Sequence, residues 1–114
     1  MAEGRLETQL AQAGLIRTEA TGSINPPIYL ATVYRHPALG ESTGYDYTRT
    51  GNPTRHVLEN EIARLEGGVR GFAFSSGMAA VQAALSLFSP GDHLLVSMDL
   101  YGGTYRFIEH ILGK

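Results

Sequence analysis

The chain has 114 residues, of which 43% are hydrophobic and 18% are charged, the composition of a single globular domain. Its formal net charge of −2 argues against a nucleic-acid partner or an anionic membrane surface, and the absence of cysteine excludes disulfides, thiolate nucleophiles and cysteine-bound metals. No run reaches the roughly 18 apolar residues that would span a bilayer, and the first residues lack the apolar segment of a secretory signal. We therefore expect a cytoplasmic protein.

The first part of the chain, residues 1–52, is predicted to be an arm. Leucines at helical spacing within residues 3–14 indicate a short amphipathic helix. Beyond residue 16, proline and glycine interrupt every helical or strand period. The stretch still carries apolar side chains that a linker would leave out: Ile28, Tyr29, Leu30, Val33, Tyr34, Tyr45 and Tyr47. We expect this arm to lie on another surface, such as a second subunit.

Regular structure is predicted to begin at residue 53. Asn52 followed by Pro53 is a helix start signal, and the glycine pair at 67–68 ends that helix. Short apolar runs at 71–74 and 94–96 are typical of buried strands, each leading into a further helix. The alternation predicts an α/β layer with parallel strands and right-handed crossovers. Two strands are too few for such a sheet, so we expect residues 53–114 to be the truncated start of a larger domain.

Three short segments carry chemistry. The first is Phe74-Ser75-Ser76-Gly77-Met78-Ala79-Ala80, which predicts a strand, a turn and a helix start. Free N–H groups and the helix dipole make such a turn an anion site, and Gly77 would let a ligand approach the backbone. An ordinary capped helix gives the same pattern, and the residues alone do not separate the two interpretations. Nucleotide-binding glycine motifs are absent.

The second segment surrounds Tyr47 and Arg49. These residues are two apart, so on an extended backbone their side chains point the same way. A phenol and a guanidinium placed together could hold phosphate oxygens. The alternative is a polar loop whose tyrosines cover a core.

The third segment, Asp99-Leu100-Tyr101-Gly102-Gly103-Thr104, follows the second predicted strand. Ligands bind outside the carboxyl ends of parallel strands, where Tyr101 could present its ring to a planar ligand. A tyrosine packed at the start of a helix is the alternative. No metal site is predicted, because the histidines lack ligand spacing; they are His36, His56, His93 and His110.

Together, Y-D-Y-T-R-T-G-N-P-T-R, F-S-S-G-M-A-A and D-L-Y-G-G-T-Y-R resemble the N-terminal third of the cysteine/methionine-metabolism enzymes that use pyridoxal 5′-phosphate (PLP). The family includes cystathionine γ-synthases, cystathionine β- and γ-lyases and O-acetylhomoserine thiol-lyases. The resemblance implies the fold of the type I, aspartate aminotransferase-like large domain. It also implies a homo-oligomer, expected as a homotetramer, whose active site is shared between subunits.

By this resemblance, the amides of Gly77 and Met78 bind the cofactor phosphate, and Tyr47 and Arg49 reach the phosphate in a neighbouring subunit. Tyr101 would stack on the pyridine ring and assist proton transfer at the substrate. The family also needs a Schiff-base lysine, an aspartate and a distal arginine, which normally lie beyond the matched region. Lys114 is the one lysine of this chain and does not match the family's. We therefore expect a fragment that alone does not catalyse.

Within the family, two segments, Pro27–His36 and Gly40–Gly44, look most like those of bacterial γ-synthases and homoserine-ester thiol-lyases. The first hypothesis is a cystathionine γ-synthase of methionine biosynthesis, which joins an O-acyl-homoserine to cysteine. A cystathionine lyase or an O-acetylhomoserine sulfhydrylase is the alternative. A non-catalytic interaction fragment is the alternative from another class.

Overall fold

The computed structural model describes residues 4–15 and 19–113, and the chain divides into two compact units, Met1–Ala73 and Phe74–Lys114. The helices of the first unit are α1 (Leu6–Ala11) and α2 (Pro53–Leu65). Those of the second are α3 (Gly77–Leu85) and α4 (Gly102–Phe107), and a π-helical turn, Ile108–Leu112, continues α4. Each predicted helix is therefore present, although the last one widens into π geometry after its first six residues.

Asn52 starts helix α2 and also fixes the arm to it. Its side-chain oxygen accepts the N–H of Thr54 at 2.8 Å, the hydrogen bond of an N-cap. Its amide nitrogen donates to the Tyr29 carbonyl at 3.0 Å and to the Thr48 hydroxyl at 2.7 Å. Asn52 is buried, and these bonds use its acceptor and both donor hydrogens. The predicted helix start is confirmed, and the same residue holds two distant parts of the arm.

The arm folds back on itself and on α2. Val33 and Tyr47 form an antiparallel bridge, and the Thr48 N–H donates to the Thr32 carbonyl at 2.9 Å. The guanidinium of Arg55 in α2 donates to three successive carbonyls of the arm, those of Thr48, Arg49 and Thr50, at 2.9–3.5 Å. The arm therefore lies on its own chain's helix. Its contact with a second subunit stays a prediction.

The two predicted strands, at 71–74 and 94–96, are not present in the structure. Across residues 4–15 and 19–113 the structure contains no strand, and the single isolated bridge is that of the arm. Phe72 and Leu95, expected to be buried, are 69% and 98% exposed. A strand forms only where a neighbouring backbone takes its N–H and C=O groups. The N–H of Ala73, within the first of these runs, donates instead to the Glu59 carboxylate at 2.9 Å. The predicted parallel layer is therefore not confirmed.

Little of the described chain is buried. Ala63 of α2 is the one hydrophobic residue in the described ranges that is shielded almost completely from solvent. The division into an arm over 1–52 and a domain from 53 stays a prediction; α2 lies in the same compact unit as the arm. None of the helices in the described ranges is both long and apolar enough to cross a membrane.

Candidate functional site

The start of α3 presents backbone N–H groups. The Ser76 hydroxyl accepts the N–H of Ala79 at 3.1 Å, and the Ser76 carbonyl accepts that of Ala80 at 3.1 Å. The amides of Gly77 and Met78 precede them in the first turn, where a helix offers no acceptor of its own. A capped helix was one interpretation of this turn, and it is correct. The cap nevertheless leaves two amides for a ligand.

The space beside Gly77 is open. A Cβ placed on it would meet no atom within 4 Å. A cavity of about 420 Å³ lies here, which we call the α3 cavity. It is lined by Ser76, Gly77, Met78, Val81, Tyr101 and Thr104. Tyr101 is 73% exposed, so its ring is available to a ligand. The structure therefore brings Gly77, Met78 and Tyr101 together around one cavity within the second unit.

Thr104, the last residue of the third segment, also lines the cavity, although no role was predicted for it. Its hydroxyl lies 3.8 Å from the Met78 sulfur, a weak hydrogen bond that joins the first turns of α4 and α3. The available signal was its position three residues after Tyr101 at a helix start, which places both on one side of the first turn. The residues that line the cavity therefore lie mainly at the starts of two helices, α3 and α4.

Tyr47 and Arg49 contact one another in the first unit. Arg49 Nη2 donates to the Tyr47 hydroxyl at 2.7 Å, and the guanidinium carbon lies 5.2 Å from the Tyr47 ring centroid. The prediction that the two side chains point the same way is confirmed. Their backbone is fixed locally, because the Thr50 N–H and hydroxyl both bond the Tyr47 carbonyl at 3.0 and 2.8 Å. The structure assigns this pair and the α3 cavity to different units.

The first unit has a cavity of its own, of about 450 Å³, which the sequence analysis did not predict. Tyr45 and His56 line it, with the Tyr45 hydroxyl 3.0 Å from His56 Nδ1. The other ring nitrogen of His56 lies 3.6 Å from the Glu59 carboxylate, and Arg55 Nε forms an ion pair with the same carboxylate at 3.3 Å. The Tyr45–His56 contact joins the arm to α2. In the described residues no three His, Asp or Glu side chains stand close enough for a metal ion.

Comparison with known proteins gives concordant matches. The model of the family described as "Cys/Met metabolism PLP-dependent enzyme" matches residues 7–114. The chain is 60% identical over 105 residues to a cystathionine γ-synthase/O-acetylhomoserine (thiol)-lyase of Bacillus subtilis and 59% identical over 104 residues to a cystathionine γ-synthase of Haemophilus influenzae. It is 50% identical over 109 residues to a cystathionine β-lyase of Lactococcus lactis. These matches cover 91–96% of this chain but only 28–29% of each relative's length.

Solved structures give the same result. Cystathionine γ-lyase from Lactobacillus plantarum, complexed with L-serine, is 47% identical and matches with a TM-score of 0.87 over 96% of this chain and 29% of that one. Cystathionine γ-synthase from Xanthomonas oryzae, in complex with aminoacrylate and cysteine, is 39% identical with a TM-score of 0.88 over the same shares. Both have the type I fold of PLP-dependent enzymes, which the chain's own fold matches. With a family model matched over almost its whole length, this chain belongs to the Cys/Met-metabolism family of PLP-dependent enzymes.

Proposed function

We propose that the second unit holds the phosphate of PLP at the amides of Gly77 and Met78, with the pyridine ring against Tyr101. The observation that carries this proposal is the single cavity that all three residues line. The N-terminus of a helix favours an anion through its free N–H groups and its dipole, and α3 has nine residues. Ligand pockets span roughly 300–1,000 Å³, so about 420 Å³ suits a cofactor of this size.

The negative charge of the phosphate requires a positively charged partner from outside the α3 cavity. All six residues that line the α3 cavity are uncharged, so amide dipoles alone face the ligand there. We propose that Tyr47 and Arg49 complete the phosphate site in a second copy of the chain. The arm that carries them exposes large apolar side chains, with Ile28 at 77% and Leu30 at 90%, as a segment that docks on another subunit would. On this proposal the protein is a homo-oligomer whose sites are shared.

We further propose that the protein carrying these residues is a cystathionine γ-synthase. It would replace the acyl group of an O-acyl-homoserine with cysteine, forming cystathionine. PLP, when bound, supplies an electron sink that lets protons leave the carbon atoms of the amino-acid substrate. The role of this chain is to hold the phosphate, orient the ring and place the Tyr101 hydroxyl where it transfers a proton at the substrate. Support comes from the two relatives at 59–60% identity: one is named as a cystathionine γ-synthase, and the other is named both as a cystathionine γ-synthase and as an O-acetylhomoserine (thiol)-lyase, which keeps that activity as an alternative.

A cystathionine lyase is the second candidate. The Lactococcus relative named as a β-lyase is 50% identical, and its match covers 96% of the chain, so the residues of this chain do not separate synthesis from cleavage. A non-catalytic interaction partner is the candidate from another class. The chain spans 28% of the length of its γ-synthase relatives, so these three candidate functions are proposals for a longer protein. We expect no turnover by the 114 residues alone, since the one lysine is Lys114.

The binding proposal is tested with PLP and with pyridoxal, which lacks the phosphate. We expect the intact protein, meaning the full-length protein that carries these residues, to bind PLP. It should bind pyridoxal at least tenfold more weakly, because the amides of the α3 cavity recognise the phosphate. The variant Gly77→Ala should keep its stability, since a Cβ there meets nothing within 4 Å, while PLP binding weakens. Equal affinity for the two compounds would contradict the phosphate role.

The reaction is tested with purified intact protein. Incubation with O-acyl-homoserine and cysteine should yield cystathionine. Release of pyruvate or 2-oxobutyrate from cystathionine, without any synthesis, would identify a lyase instead. Absence of both reactions in a PLP-loaded oligomer would favour the interaction partner.

A further inference from the structure

Gly103, in the first turn of α4, lies against the ring of Tyr101. A Cβ built on Gly103 would stand 2.6 Å from Cε1 of the Tyr101 ring and 3.1 Å from Cδ1. The same Cβ would be 3.1 Å from the sulfur of Met78. A Cβ does not approach a heavy atom to 2.6 Å, so any side chain at position 103 requires the Tyr101 ring to move.

The neighbouring Gly102 provides the contrast. A Cβ on Gly102 would meet only the end of the Arg106 side chain, at 3.4 Å, and that flexible group can move aside. Both glycines are in the same helix, and neither has the positive φ that would itself demand glycine. Glycine is a poorer helix former than alanine, so helix propensity gives no reason for glycine at either position. At position 103, the side chains of Tyr101 and Met78 leave no room for a Cβ.

We propose that Gly103 is a positioning residue for Tyr101. By leaving out a side chain, it lets the ring lie beside Met78 at the wall of the α3 cavity. This inference rests on the proposed function, because the purpose of this ring orientation is to stack on PLP. Tyr101 is mostly exposed, so little else holds its ring, and an alanine at 103 would turn the ring away at small cost to the fold.

The test compares Gly103→Ala with its matched control Gly102→Ala, each alone and combined with Tyr101→Ala, in the intact protein. Three quantities are measured: the PLP dissociation constant, the circular dichroism of the bound cofactor and the melting temperature of the apoprotein. We expect Gly103→Ala to weaken PLP binding about tenfold, as Tyr101→Ala does, because both remove one stacking contact. Gly102→Ala should stay within twofold of the parent. In the Tyr101→Ala background, Gly103→Ala should change PLP binding less than twofold.

The apoprotein gives a readout that needs no cofactor. With Tyr101 present, Gly102→Ala should raise the melting temperature by roughly 2–4 °C and Gly103→Ala should raise it less. With Tyr101→Ala, the two alanines should raise it equally, since the ring is gone. The cofactor circular dichroism of Gly103→Ala should resemble that of Tyr101→Ala.

Each contrary result has one meaning. If Tyr101→Ala weakens PLP binding but Gly103→Ala does not, the positioning role is wrong and the proposed function stands. If Tyr101→Ala itself leaves PLP binding unchanged, the proposed stacking fails and the role of Gly103 fails with it. Additive effects of the two substitutions on both PLP binding and melting would also overturn the inference.

Discussion

The guanidinium of Arg49 donates to the Tyr47 hydroxyl at 2.7 Å while its central carbon lies 5.2 Å from the ring centroid. One hydrogen bond and one cation–π contact therefore hold two polar side-chain ends together on the surface of the arm. Arg49 keeps further donors for an anion, because a guanidinium carries five N–H groups. This arrangement supports the proposal that the pair contacts the phosphate of the cofactor.

Arg49→Ala should weaken PLP binding far more than folding. A hydrogen bond to a charged group contributes roughly 1.5–3 kcal/mol, so the dissociation constant should rise about 10- to 100-fold. The free energy of unfolding should change by less than about 0.5 kcal/mol, because the side chain is exposed. Arg35→Ala, which removes another exposed arginine of the arm, is the control and should leave PLP binding unchanged. Unaltered affinity in Arg49→Ala would contradict the phosphate contact.

Tyr101→Phe should retain PLP and slow turnover. The ring that faces the cavity remains, whereas the hydroxyl proposed to transfer a proton is lost. General acid–base groups contribute roughly 100- to 10,000-fold, so kcat should fall by about 100-fold or more, with the PLP dissociation constant within twofold. Steady-state kinetics and cofactor titration measure the two effects separately. An unchanged kcat would leave Tyr101 as a stacking surface only.

Asn52→Ala should destabilise the first unit by about 2–3 kcal/mol. The change removes the cap of α2, worth about 1 kcal/mol, and leaves the Tyr29 carbonyl without its donor in a partly buried position. Asn52→Asp is the matched variant, because its carboxylate still caps Thr54 but cannot donate to the arm. Urea unfolding should place Asn52→Asp between the parent and Asn52→Ala. Equal stability of all three proteins would show that the arm is not held through Asn52.

Gly71→Ala should cost roughly 1–3 kcal/mol, the usual penalty of overpacking. A Cβ at position 71 would collide with the Glu59 carbonyl oxygen, a backbone atom of α2 that cannot move alone. Gly68→Ala is the control in the same connection, since a Cβ there would make only ordinary contacts at 3.7 Å or more. The free energies of unfolding of the two variants give the comparison. If Gly68→Ala is as destabilising as Gly71→Ala, the collision is not the cause.

The helix starts were predictable from the sequence because they depend on local chemistry. A side-chain oxygen at residue 52 or 76 bonds an amide two or three residues ahead, and nothing distant is needed. Gly77 and Tyr101 were likewise selected from local patterns, since each lies at a helix start; their roles at a cofactor stay a prediction.

The sequence by itself determined where the helices begin and, through three ordered motifs, the family. Tertiary structure decided what depends on distant partners. The apolar runs at 71–74 and 94–96 form no strand within the described residues, because a ladder needs a neighbouring backbone and none pairs with them there. The return of the arm onto α2 through Asn52 and Arg55, and the contact of Gly103 with the Tyr101 ring, likewise follow from three-dimensional packing, which no local pattern encodes.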